Sequence, residues 1–152
     1  TFNSSGYVTT ALGSVSDIAV NLALQSNGRI ILVGQSSDGT YLDTYLQMMR
    51  SMIQHSAGIR RPGAAALDLA YVAAGFYDGF WEVGLNPWDV AAGSLLVLEA
   101  GGLIGDLSGE GDYLYSGQVI AANPKIYAQM VRELSPFRPQ LEKDLKNRTS
   151  GN

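Results

Sequence analysis

The dipeptide Asn86-Pro87 is the point from which the architecture of this chain can be read. Asparagine is favoured at a helix N-cap, where its side-chain oxygen accepts a free backbone N–H, and proline at the first helical position, where no N–H is needed. Before the pair, Gly79 to Val83 alternates, with Phe80 and Glu82 on one face and Trp81 and Val83 on the other. After it, Ala91, Ala92 and Gly93 leave room for another backbone, Leu95, Leu96 and Glu99 follow at helical spacing, and Gly101-Gly102 closes the run. Glu82 to Gly102 therefore reads as the end of a strand, a tight connection and one helix, a unit that buries its apolar faces in an α/β layer.

Asp89 falls in the first turn of that helix. There the helix dipole favours a negative charge, and the residue reads either as a cap or as a metal ligand at a ligand-facing helix end.

Composition narrows the classes. With 152 residues, 46% hydrophobic and 16% charged, the chain can bury one real core. A net charge of −4 argues against a nucleic-acid partner. No window reaches the roughly 18 uninterrupted apolar residues of a membrane helix, and no charged leader precedes an apolar stretch, so a soluble, cytoplasmic protein with no membrane partner is expected. The absence of cysteine excludes thiolate metal sites, and the single histidine, His55, excludes a histidine-rich zinc site. Any metal must be held by oxygen, which favours magnesium. A chain opening on Thr1 is expected to be a fragment or a processed product.

Residues 1–40 are rich in Ser, Thr, Gly and Asn. The apolar runs Ile18 to Leu24 and Arg29 to Val33, joined through Ser26-Asn27-Gly28, predict a β-hairpin. The wording from Ala23 to Gly34 resembles one unit of a β-propeller-type repeat, whose family role is scaffolding and binding. From Tyr41 the pattern turns helical, with Leu42, Tyr45, Leu46, Met49, Met52 and Ile53 as the expected stripe and His55 at its end. Ala57 to Arg61 reads as a short strand, with Arg60 and Arg61 able to face a phosphate or to serve in ion pairs.

Gly63 to Gly75 reads as a helix apolar nearly all round, buried between layers, with Asp68 a hydrogen-bonded structural carboxylate. Leu103 to Leu107 and Gln118 to Ala122 read as strands flanking a polar turn. Asn123-Pro124 repeats the helix-start signal, and Ile126, Tyr127, Met130, Val131 and Leu134 predict a last amphipathic helix. The charged segment 135–152 reads as a polar tail.

Taken together, the run Gly58-Ile-Arg-Arg-Pro-Gly-Ala-Ala-Ala-Leu-Asp-Leu-Ala-Tyr-Val-Ala-Ala-Gly, then Asp78-Gly-Phe-Trp-Glu, Pro87-Trp-Asp-Val-Ala-Ala-Gly and Glu99-Ala-Gly-Gly resembles the C-terminal half of the inositol monophosphatase family, over about residues 41 to 134. The resemblance implies the C-terminal part of an α-β-α-β-α sandwich, here an α/β domain at 41–134 preceded by a β-hairpin segment at 1–40. It implies a magnesium-dependent phosphomonoesterase acting on inositol monophosphate or a similar sugar phosphate, usually as a homodimer. In the family the Asp of the second signature binds Mg2+ and contacts substrate, a role that carries onto Asp89. The family's substrate-contacting Glu falls on Glu82, and its pocket-shaping Gly-x-Ala backbone on Gly63, Ala64 and Ala65.

The family's upstream Asp-Pro-x-Asp-Gly-Thr element has only an imperfect counterpart here. Asp38-Gly39-Thr40 is preceded by Gln35-Ser36 in place of the first Asp and the Pro, and reads more simply as a turn. With that signature and the family's Glu-Glu pair missing, the chain is expected to be inactive alone. The alternative is a non-catalytic scaffold that joins a β-repeat segment to a phosphatase-like domain.

Overall fold

A computed structural model describes the backbone of residues 17–24, 30–36 and 41–150 and the side chains of residues 41–146. The expected turns at 26–28 and 38–40 lie outside the described residues. Strands β1 (Asp17–Leu24) and β2 (Ile30–Ser36) pair antiparallel, as the hairpin pattern predicts, in a two-stranded sheet of their own.

The main body alternates helix and strand. Helix α1 (Leu42–His55) is followed by α2 (Ala65–Ala73), β3 (Gly79–Val83), α3 (Pro87–Glu99), β4 (Leu103–Gly105), β5 (Gln118–Ala122), α4 (Pro124–Leu134) and α5 (Arg138–Ser150). The sheet is antiparallel in the order β3-β5-β4. Central β5 is buried along its whole length, as expected for an uncharged strand covered on both faces.

The two faces follow residue parity. Glu82 stands opposite Val119 and Trp81 opposite Ile120, so side chains two apart share a face. Val83, Ile120 and Ala122 pack with Tyr45, Met48, Tyr127, Met130, Leu134 and Leu141 of α1, α4 and α5. Phe80, Val119 and Ala121 pack with Leu69, Val72, Val90 and Val97 of α2 and α3. The result is an α/β/α arrangement in three layers. On the second face Gly93 lies so close to α2 that a Cβ there would meet the Leu69 side chain at 2.5 Å, so the small-residue run of α3 does admit a close neighbour at this position.

The structure departs from the sequence pattern in five places. On α1 the buried side is Tyr45, Met48 and Met52, while Leu46 and Ile53 are exposed. The helix is rotated from the expected stripe because Thr44, itself buried, turns toward α5 and donates to Asp144 Oδ2 at 2.6 Å. Residues 57–61 form no strand: β3 pairs only with β5, and Gly58 and Pro62 flank a segment held through side chains instead. Helix α2 is not enclosed, since Ala66 and Leu67 face outward.

Strand β4 ends at Gly105, two residues early, because Asp106 turns the chain: its Oδ1 accepts the backbone N–H groups of Ser108 at 2.8 Å and Glu110 at 3.2 Å. Finally, the expected polar tail contains α5. Two leucines in a charged sequence dock it, Leu141 fully buried and Leu145 packed against the same core, and Arg138 Nη2 lies 3.9 Å from Asp106 Oδ2.

Candidate functional site

Connectivity brings the candidate residues to one end of the sheet. β3 ends at Val83 and α3 begins at Pro87, so α3 starts where β3 finishes. The entry to α2 reaches the same end through Arg61, whose Nε and Nη2 donate to Glu82 Oε2 at 3.2 and 2.8 Å. The other carboxylate oxygen of Glu82, Oε1, accepts the Val83 N–H at 3.0 Å. This pair is only 18% and 15% exposed, and the Arg61 guanidinium lies 4.8 Å from the centre of the Tyr45 ring. Although burial works against its charge, the Glu82 carboxylate outweighs that and raises Arg61 above its ordinary range. Burial first, and the Glu82 carboxylate second, also push the Tyr45 hydroxyl well up, so it stays protonated and can donate.

These residues line a cleft of about 900 Å³, along with Gly63, Ala64, Ala65 and Asp68. Gly63 has φ +81°, a conformation that side chains disfavour, and this turn delivers Ala64 and Ala65 to the start of α2. The first backbone N–H groups of a helix lack intrahelical partners, and that of Ala64 is taken by the Asp68 carboxylate. Asp68, one turn in, is buried, and its Oδ1 has no hydrogen-bond partner. Burial raises its pKa above the usual carboxylate value, while the Ala64 backbone amide acts in the opposite direction.

Asp89 stands apart. It is at the start of α3, outside the residues lining the cleft, and its Oδ2 accepts the Asn86 N–H at 2.9 Å. The capping reading of Asp89 is thus realised, with the carboxylate reaching back one turn. Among the described residues no group of three or more His, Asp or Glu side chains comes together to hold a metal ion. Of the five residues singled out in sequence, Glu82, Gly63, Ala64 and Ala65 share the cleft and Asp89 does not.

Sequence reasoning left Arg60 and Arg61 between a phosphate and an ion pair and gave Asp68 a hydrogen-bonded structural role. The structure realises the ion pair at Arg61, with Glu82, and leaves Asp68 Oδ1 open, while Arg60 turns back to the Ile59 carbonyl at 3.1 Å. Tyr45 was legible only as core. The available signal was parity: Glu82 on the face of β3 that looks toward α2 needs a cation from the segment entering α2. His55 Nδ1 donates to the Ser51 carbonyl at 2.9 Å, a helix-end role in line with its position.

Comparison with known proteins completes the picture. The inositol monophosphatase family matches residues 16–139, and the chain belongs to that family. It is 54% identical over 98 residues to the Nus factor SuhB of Pseudomonas aeruginosa, covering 64% of this chain and 36% of that protein. Among solved structures it is similar to the extragenic suppressor protein suhB from Bartonella henselae, with 49% identity, TM-score 0.61 and coverage of 62% of this chain and 36% of that one. It is also similar to the inositol monophosphatase from Anabaena (Nostoc) sp. PCC 7120, with 35% identity, TM-score 0.60 and coverage of 64% and 40%.

The chain thus spans about two fifths of the length of these relatives. The family match runs back through β1 and β2, and the β-propeller-type repeat expected there finds no support. No helix among the described residues is long and apolar enough to cross a membrane.

Proposed function

We propose that this chain carries the sugar-recognising part of a phosphomonoesterase of the inositol monophosphatase type, acting on inositol monophosphate or a similar sugar phosphate. The observation that carries the reading is the Arg61–Glu82 pair in the cleft beside the Gly63–Ala65 turn. Arg61 holds the Glu82 carboxylate in one orientation, a preorganised acceptor for a ligand hydroxyl. The start of α2 lies next to it.

In this proposal Asp89 is a ligand for Mg2+. The residues described do not by themselves make a magnesium site, since no group of three or more His, Asp or Glu side chains comes together among them. Two-metal phosphatase chemistry needs ions about 3.5–4 Å apart held by several carboxylates. No step of hydrolysis is therefore assigned to a metal here, and turnover is proposed to require carboxylates beyond those described. The finer expectations, a cytoplasmic homodimer without nucleic-acid or membrane partners, belong to the same reading.

The test is phosphate release from inositol monophosphate, with and without magnesium, by the purified chain and by Asp89→Asn. Neither protein should release phosphate above background. Magnesium-dependent turnover that disappears in Asp89→Asn would show that the chain completes a metal site by itself.

A further inference from the structure

Helix α3 is apolar on both sides. Val90, Gly93, Ser94 and Val97 are buried and mark the side that packs on α2 and the sheet. The opposite side carries Trp88, Ala91, Ala92, Leu95, Leu96 and Leu98, all exposed to water, with Trp88 at 77% and Leu95 at 59%. Leu67 of the adjoining α2 is exposed as well. Between Asp89 and Glu99 the helix has no charged residue, whereas a helix that meets solvent carries polar groups on its outer face. Helix α4, on the other face of the sheet, shows that ordinary arrangement, with Lys125, Gln129 and Arg132 exposed.

The exposed parts of these side chains come to on the order of 500 Å² of apolar surface, the upper end of what a monomer leaves open. A standard interface takes about 800 Å² from each partner, of which a homodimer makes about 65% apolar, or about 500 Å². The face is therefore large enough for one stable contact. It offers no charge for a partner to pair with, so the surface that covers it must be equally apolar and uncharged. The same face on another copy is such a surface, and a two-fold axis presents it to itself.

We propose that the outer face of α3, with Leu67 of α2, is the contact surface between two copies of this chain, packed about a two-fold axis with the two α3 helices antiparallel. Antiparallel packing keeps like charges apart. Trp88 and Glu99 stand about 16 Å apart along the helix, so each Glu99 lies at the rim beside the partner's Trp88 and away from the partner's Glu99. The inference stands whether or not the chain is a phosphatase, and it names the surface and the symmetry that a homodimer of this chain uses.

The test is sedimentation velocity of the full chain from about 1 to 100 µM, with tryptophan emission read on the same samples. The expected result is a monomer–dimer equilibrium that stops at two copies, with emission moving to shorter wavelength as the dimer forms and Trp88→Phe abolishing that shift. Leu95→Glu puts a carboxylate into the apolar contact and should raise the dissociation constant about ten-fold or more. Circular dichroism reports folding, and Leu96→Lys on the same face decides the matter if Leu95→Glu fails to fold. Ile53→Glu, at an α1 position 58% exposed, should leave the dimer unchanged. A monomer at every concentration overturns the proposal, as does a dimer that Leu95→Glu and Leu96→Lys leave intact or that Ile53→Glu breaks. A monomer whose Trp88 emission is already at short wavelength at about 1 µM would show the face covered within one chain, by residues 1–40, and association that grows past two copies without limit would show unspecific adhesion; either result overturns it too.

Discussion

Removing the Arg61 side chain isolates what the cleft pair contributes. In Arg61→Ala the Glu82 carboxylate, 15% exposed, loses two charge-assisted hydrogen bonds of 3.2 and 2.8 Å and keeps only the Val83 N–H. Breaking a fully buried pair from one side costs about 3–5 kcal/mol. The residual exposure of both partners lowers this to about 2–3 kcal/mol, by the screening that partly solvated charges experience. The lost guanidinium–Tyr45 contact adds about 0.5–1 kcal/mol. A total of about 3 kcal/mol corresponds to a fall in Tm of about 10 °C for a folded region of this size.

The control is Arg132→Ala, since Arg132 is 74% exposed and surface substitutions of this kind stay within about 0.5 kcal/mol. Because the folded-state pKa of Arg61 is raised, its stabilisation is fully present below the ordinary arginine value and is lost only above it. The difference from wild type should therefore be constant between about pH 6 and 9. Arg61→Met combined with Glu82→Leu should recover most of the loss, because an uncharged pair leaves no orphaned ion. Differential scanning calorimetry on these four proteins and on the single variants Arg61→Met and Glu82→Leu measures this. If Arg61→Ala melts with Arg132→Ala, or if the double variant is as damaged as the sum of its parts, the pair is not the buried, coupled unit described.

Other consequences are simpler. Burial raises the Asp106 pKa, but hydrogen bonds from Ser108 and Glu110 and the Arg138 charge outweigh it and leave the value lowered; that stability is present above about pH 4 and lost as pH falls through the folded-state value, so Asp106→Asn should melt below wild type at pH 7 and level with it in strong acid. Asp89→Ala should cost about 1 kcal/mol by loss of the cap, and magnesium should bind the wild type with a dissociation constant of about a millimolar or weaker; micromolar affinity by calorimetry that survives Asp89→Ala would refute the metal assignment. Leu141→Ala should cost about 2–4 kcal/mol, and an unchanged denaturation midpoint would mean that α5 does not anchor on the core. In hydrogen exchange the amides of β1 and β2 should open more readily than those of β5, a two-stranded sheet being marginal on its own; equal protection would move the proposed domain division away from residue 40.

The elements with local punctuation were legible. Asn86-Pro87 and Asn123-Pro124 start α3 and α4 where expected, the second with the Asn123 side chain accepting from Ile126 N–H at 3.0 Å, and β3 and β5 keep their expected bounds. What sequence could not show was decided by partners distant along the chain. Residues 57–61 have strand composition but no strand beside them, and α5 is charged enough to look solvated, although Leu141, Leu145 and a bond from Thr44, a hundred residues away from Asp144, dock it. In the site, Glu82 and the Gly63–Ala65 turn came from motif and parity. The choice of Arg61 over Arg60 as its partner and the open Asp68 oxygen depend on where side chains point, which no spacing rule encodes.

The contact at Gly93 acts as a spacer gauge between the starts of two helices. The start of α2 carries the Gly63–Ala65 turn and the start of α3 carries Asp89, and one hydrogen atom facing Leu69 sets how near these helices sit. A methyl group there would move one anchor against the other by a fraction of an ångström without touching either. The span between the cleft and the α3 cap is therefore calibrated from inside the helix layer, and a relative with alanine at this position would hold the same residues at a different span.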